Sequence, residues 1–153
     1  MNVVLYQPQI PPNTGNVARL CVGTRTRLHL IRPLGFSTDD ASLRRAGLDY
    51  WQYLDVVYHE DWAAFRASQP EARLHFYSKK AERPYTFAEY RADDFLVFGC
   101  ETKGLPEDLL MENLERAWKI PMWGQTRSLN LSTSVGIVLY EALRQVHHNF
   151  RDS

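Results

Sequence analysis

Three short stretches gather residue types that bind or activate small polar groups. The first runs Pro11-Pro12-Asn13-Thr14-Gly15-Asn16-Val17-Ala18-Arg19. Its turn residues suit a helix cap and a tight bend. Asn16 and Arg19 stand three apart and so share one helix face. An amide and a guanidinium at a helix N-terminus suit a phosphate or a ribose. The second is Gly99-Cys100-Glu101-Thr102-Lys103-Gly104-Leu105-Pro106. Its two glycines resemble a phosphate loop, yet no Gly-Lys-Ser/Thr completes a Walker pattern. They also let a flat ligand approach the backbone closely. Glu101 is a candidate acid, base or ligand contact. Cys100 is a candidate nucleophile or a buried inert thiol, with no histidine at a telling spacing. The third stretch spans 120–134, where Ser128, Asn130 and Ser132 alternate with Leu129 and Leu131, and Ser134 follows Thr133. These small polar groups suit an adenosine or methionine moiety, and Ser132 or Thr133 also suits a plain N-cap.

The pattern around these stretches supplies the elements that must hold them. Val3–Tyr6, Leu28–Ile31, Leu54–Tyr58, Leu74–Tyr77, Phe95–Phe98 and Trp118–Ile120 read as short buried strands. Pro11-Pro12 forces a loop, after which Asn13 or Thr14 caps a helix to about Gly23. A short helix capped within 38–40 carries Leu43, Arg44 and Arg45 and stops at Gly47. Asp61–Ala67 reads as a helix, and Pro106 sits at the start of another. The last helix is signalled by Val135, Val138, Leu139, Ala142, Leu143 and Val146, one apolar stripe of 3.6 period. Strands alternating with helices predict an α/β fold with a mainly parallel sheet. In such sheets ligands bind beyond the carboxyl ends of the strands, where the three stretches fall.

Composition sets the class. The 153 residues are 44% hydrophobic, 24% charged and 12% aromatic, and they predict one globular domain over 1–153. No apolar run reaches the ~20 residues of a membrane helix, and the N-terminus lacks a secretory pattern. Two cysteines exclude a disulfide framework and predict a reducing, cytoplasmic setting. The five histidines show no metal-ligand spacing, and no metal is expected. His29 and His75 lie in strand-like runs and read as structural. Eighteen basic and eighteen acidic residues cancel, but residues 1–50 carry net +3, 51–117 net −5 and 118–153 net +2. A basic face is therefore open to a polyanion. Arg44-Arg45, followed by Tyr50-Trp51, combines cations with aromatics as RNA-gripping surfaces do.

Together the stretches read PxIPxNTGNxxR, FGxExxGLP and IPMxGxxRSLNLSxS. In order and spacing the chain resembles the SPOUT methyltransferases, in their TrmH-type branch of RNA ribose 2′-O-methyltransferases. It is most similar to the small members that act on the wobble cytidine or modified uridine of tRNA. The segment from Leu43 to Tyr50 is similar to that subgroup in particular. The resemblance implies an α/β-knot fold, a parallel sheet whose C-terminal part threads a trefoil knot. Pattern alone predicts an open doubly wound sheet, because true knots are essentially absent in general. It further implies a homodimer, a tRNA substrate, S-adenosyl-L-methionine as methyl donor and S-adenosyl-L-homocysteine as product. By the same resemblance Tyr77, Ser78, Gly99, Glu101, Gly104, Ile120, Met122, Ser128, Leu129 and Asn130 contact the donor. Arg19 is the catalytic residue, supported by Asn16 and Ser132, while Arg44, Arg45 and Arg127 are candidate RNA contacts. The segment after Phe76, Tyr-Ser-Lys-Lys-Ala-Glu, departs from the family pattern. The rival readings are a non-catalytic RNA-binding module of this fold, a nucleotide hydrolase using Glu101 or Cys100, and methylation at another tRNA or rRNA position.

Overall fold

The apolar runs become strands because their side chains are buried on both faces, as parallel sheets require. A computed structural model describes residues 1–39, 41, 43, 45 and 50–151. Its strands are β1 Asn2–Tyr6, β2 Arg27–Ile31, β3 Val56–His59, β4 Leu74–Tyr77, β5 Phe95–Phe98 and β6 Ala117–Trp118. Its helices are α1 Pro11–Thr24, α2 Trp62–Ser68, α3 Glu107–Met111 and α4 Leu131–Val146. The predicted short helix around Leu43 falls largely outside the described residues, and Arg44 with it. Leu43 and Arg45 are helical, with Leu43 buried and Arg45 exposed.

The strands form one six-stranded sheet in the order β3-β2-β1-β5-β4-β6, with every pairing parallel. Val4 of the central strand stands between His29 of β2 and Val97 of β5. Strand alternation sorts the core into two layers. Val3 and Leu5 pack with Val17, Ala18 and Cys21 of α1 and with Val135, Val138 and Leu139 of α4. Val4 packs to the other side with Phe65 of α2 and with Phe76, Phe95 and Val97. The chain builds β2 and β3 on one side of β1, then crosses to build β4 against β5. The change of direction lies between β1 and β5, the place where open α/β sheets bind ligands.

Several element starts differ from expectation by a residue or two, and β3 begins at Val56 rather than Leu54; two differences bear on the site. α1 begins at Pro11, not at Asn13 or Thr14. The two prolines occupy its first turn, where their fixed φ suits the helix and their missing N–H groups leave fewer donors to satisfy. Asn13 and Thr14 are consequently inside the helix and buried. The last strand is Ala117–Trp118, with Lys119 adding only a bridge to Pro84. β6 is short, and a side-chain bond reinforces it: the Trp118 indole N–H donates to His75 Nδ1 at 3.0 Å. That leaves the His75 Nε2 proton for Asp94 Oδ2, 2.9 Å away. Asp94 also accepts from the Arg91 N–H and pairs with Arg73. Burial opposes its charge, but these donors prevail and hold the carboxyl below its usual range.

His29 is likewise structural. It is 1% exposed, its Nδ1 2.9 Å from His59 Nε2 and its Nε2 3.3 Å from Asn2 Oδ1. The Asn2 carbonyl accepts the His29 Nε2 proton, so His29 Nδ1 accepts from His59. Burial first, then the neighbouring His59 and Arg27, push His29 down to about 4, and burial also lowers His59. An unfolded chain therefore takes up protons that the native pair refuses. Stability is full above the ordinary histidine value of 6.5 and declines as pH falls from there toward about 4. Urea unfolding at pH 7.5 and pH 5 is expected to show a lower midpoint at pH 5, a loss of a few kcal/mol, with a weaker dependence in His29→Gln. Equal midpoints for the parent at both pH values would contradict this account. The Asp94 contribution has the same sign but is lost only below the ordinary carboxylate value of 3.8.

Candidate active site

A cavity of about 380 Å³ opens at the carboxyl ends of β1, β4 and β5. All ten residues assigned above to the methyl donor line it: Tyr77, Ser78, Gly99, Glu101, Gly104, Ile120, Met122, Ser128, Leu129 and Asn130. Its volume lies within the roughly 300–1,000 Å³ typical of small-molecule sites. Apolar walls from Leu105, Ile120 and Leu129 face hydroxyl and amide groups from Ser78, Ser128 and Asn130.

The loop after β5 is shaped by its glycines. A Cβ on Gly99 would overlap the backbone of Gly104 and Leu105. Gly104 has φ +68°, the left-handed region that favours glycine. Its N–H donates to the Cys100 carbonyl at 3.0 Å and closes the turn. Cys100 lies half-buried on the cavity wall, its Sγ 3.7 Å from the Gly104 carbonyl. Among the described residues it has no histidine partner, and nothing activates it as a nucleophile.

Glu101 is turned toward α1. Its Oε1 accepts the Gln9 N–H at 2.8 Å, and its Oε2 accepts the Ile10 N–H at 2.6 Å and the Asn13 amide at 3.3 Å. Beside them Thr102 donates to the Gln9 side-chain carbonyl at 2.7 Å. A carboxylate at the head of α1 is also favoured by the helix dipole. This geometry gives Glu101 a role outside the acid, base and ligand contact expected of it: its carboxylate ties the loop after β5 to the head of α1.

The loop after β6 ends in a cap supplied by Asn130, not by Ser132 or Thr133. Asn130 Oδ1 accepts the Ser132 and Thr133 N–H groups at 2.9 and 3.3 Å and the Ser132 hydroxyl at 2.6 Å. Its amide donates to Asn13 Oδ1 at 2.9 Å. Asn13 thus bridges Glu101 and Asn130, joining all three stretches. In the sequence Asn13 reads as a cap only. Its position three residues before Asn16 and six before Arg19 was the available signal.

The three residues expected to act on the ribose do not line the cavity. Asn16 and Arg19 follow Asn13 at successive turns of α1 and are exposed. The Arg19 guanidinium lies 5.0 Å from the centre of the Tyr50 ring, a cation–π contact. Ser132 sits in the first turn of α4, one residue past the cavity-lining Leu131. Arg127 is exposed in the loop before it, and Arg45 bonds the Ala41 carbonyl at 3.4 Å. Lys79, Lys80 and Lys103 also line the cavity, a contribution the motif reading did not anticipate. Among the described residues no group of three His, Cys, Asp or Glu is placed to hold a metal, and no helix is long and apolar enough to cross a membrane.

Residues 1–140 match the model of the SpoU rRNA Methylase family. A relative from Bacillus subtilis (strain 168) is 51% identical over 155 residues, spanning 99% of this chain and 96% of the relative. The tRNA (cytidine(34)-2′-O)-methyltransferase of Yersinia pestis is 46% identical over 152 residues, spanning 95% and 94%. A solved structure described as giving structural insights into the 2-OH methylation of C/U34 on tRNA superposes with a TM-score of 0.90 at 47% identity, over 94% of each chain. With 140 of its residues matching that family model and with relatives 46% and 51% identical over nearly their full length, the chain belongs to the SpoU methylase family.

Proposed function

We propose that this chain methylates the ribose 2′-OH of the wobble nucleotide of tRNA, cytidine or a modified uridine, with S-adenosyl-L-methionine as donor. The observation that carries the proposal is the convergence of all three stretches on one cavity, in a chain with near full-length relatives of that named activity. The cavity fits the donor in volume, in its mix of apolar wall and polar groups, and in the bare backbone at Gly99. When bound there, S-adenosylmethionine supplies a methyl group already activated on a sulfonium. Ile120, Met122 and Leu129 offer an apolar slot, in which the backbone groups of Ile120 and Leu129 would read an adenine edge. Tyr77, stacked on Phe98 with ring centres 4.8 Å apart, is a rigid wall. Burial, then Tyr90, raise its phenol well above 10, so it stays neutral and donates its proton to the Tyr90 hydroxyl at 3.0 Å.

The remaining task is to place a poor nucleophile and accept the charge it develops. Arg19 serves it as a fixed cation. A guanidinium keeps its own proton, so it orients an RNA phosphate and stabilises the forming alkoxide, while the 2′-hydroxyl proton leaves to that phosphate or to water. Asn16 and Ser132 supply polar contacts beside it, and Arg44, Arg45 and Arg127 meet the RNA backbone. The same reading includes a C-terminal trefoil knot, a homodimer and a cytoplasmic setting. The apolar stripe of α4 is spent on the core of its own chain, and its exposed Tyr140 is what the helix leaves for a subunit face.

The reaction is tested with methyl-labelled S-adenosylmethionine and unmethylated bulk tRNA, followed by digestion and identification of the labelled nucleoside. A 2′-O-methylated wobble pyrimidine is expected, reduced ~100-fold or more in Arg19→Ala, with donor affinity retained. Label on another nucleoside would keep the reaction and replace the substrate. Calorimetric titration of Gly99→Ala with the donor is expected to show binding lost, since the added methyl forces the 99–105 turn open. Unchanged affinity in that variant would place the donor elsewhere.

A further inference from the structure

The loop between β6 and α4 leaves its largest side chain in water. Trp123 is 92% exposed, and among the described residues its indole has no bonding or ring partner. The other three tryptophans are engaged. Trp118 bonds His75, Trp62 packs on Phe65 and Phe76, and Trp51 packs on the main core. An aromatic side chain normally buries about 150–250 Å², so folding does not explain an indole at this position. Its setting points to a ligand. Met122 immediately before it and Ser128 shortly after line the cavity. Arg127 is exposed in the same loop. Of the four charged residues lining the cavity, three are the exposed lysines Lys79, Lys80 and Lys103. The fourth, Glu101, is engaged by the N–H groups ahead of α1. A chain with no net charge thus presents a cationic rim beside a free aromatic face.

We propose that Trp123 receives an unstacked base of the RNA next to the cavity, while Lys79, Lys80 and Lys103 neutralise the flanking phosphates. This rests on the RNA-methylating reading above. Single-stranded RNA loops are recognised by splaying bases onto aromatic faces and pairing their phosphates with cations. A ribose hydroxyl brought to the cavity carries its own base and its neighbours' bases out toward the surrounding loops. Trp123 is the large exposed aromatic of the loop that joins the cavity wall to α4.

The test measures tRNA affinity, methylation kinetics, donor affinity and sedimentation for Trp123→Ala, Trp123→Leu and Trp123→Phe. Loss of one stack weakens tRNA binding ~10-fold or more. Ala and Leu are expected to show that loss as a raised tRNA Kd and KM, with donor affinity and sedimentation unchanged. Phe, which keeps a ring, is expected to stay near the parent. The triple change of the lysines to glutamine is expected to flatten the salt dependence of binding, and the Trp123 variants are expected to leave it unchanged. Leu performing like Phe would make the residue an apolar filler and overturn the proposal. A change confined to donor affinity or to sedimentation would overturn it too, in favour of a cofactor cover or a subunit contact. If the parent methylates tRNA and both Ala and Leu match it, this inference alone fails. A parent chain that neither binds nor methylates tRNA overturns both readings.

Discussion

The Glu101 carboxylate, held by two backbone N–H groups and one side-chain amide ahead of and within α1, is the interaction on which the rest of the site depends. It fastens the loop after β5 to the loop after β1. Without it, the exposed N–H groups of Gln9 and Ile10 would turn to water, so the loss is the net worth of the bonds, about 0.5–1.5 kcal/mol each, together with the tie between the loops. Charge-assisted bonds of this kind are also the short and strong ones. The same contact sets the position of Asn13, which in turn holds Asn130 and hence the start of α4. One acid therefore registers three loops that lie far apart in the chain.

Steric constraint completes what that bond begins. The backbone at Gly99 passes so close to Gly104 and Leu105 that no side chain fits between them. On the far side of β1, Gly35 lies against Gln9, where a Cβ would sit 2.7 Å from its Cα. The Gln9 segment is thus fixed from β2 by contact and from β5 by hydrogen bonds. The cavity wall gains rigidity from backbone packing rather than from bulky side chains, which leaves room for a ligand.

Much of this was legible in the residues. Continuous apolar runs such as Phe95–Phe98 and the periodic stripe of α4 carry strong signals, since burial on two faces or on one stripe dictates them. The three stretches were legible because glycine, proline and small polar residues are rare together unless backbone must approach a ligand. Three features were not. Pro11-Pro12 reads as a break but begins α1, because proline is tolerated in a first turn. Asn130, rather than the following hydroxyls, caps α4, a choice settled by its second bond to Asn13 across the fold. The role of Glu101 is open in the sequence, because no local pattern reveals that its partners lie some ninety residues earlier. Tertiary hydrogen bonds decide each of these, and local propensity carries no trace of them.

The Asn13–Asn130 bond spans 117 residues. It has a consequence for how the molecule is made. Closing a loop of that length costs entropy before any contact returns it, and long-range contacts form late for that reason. α1 leaves the ribosome early and must wait for α4, its packing partner in the core, until nearly the whole polypeptide has been synthesised. The apolar face of α1 stays uncovered during that interval, and the cavity has no third wall. A nascent or truncated chain is thus both sticky and inactive, and the capacity to bind a ligand arrives only with the final segment.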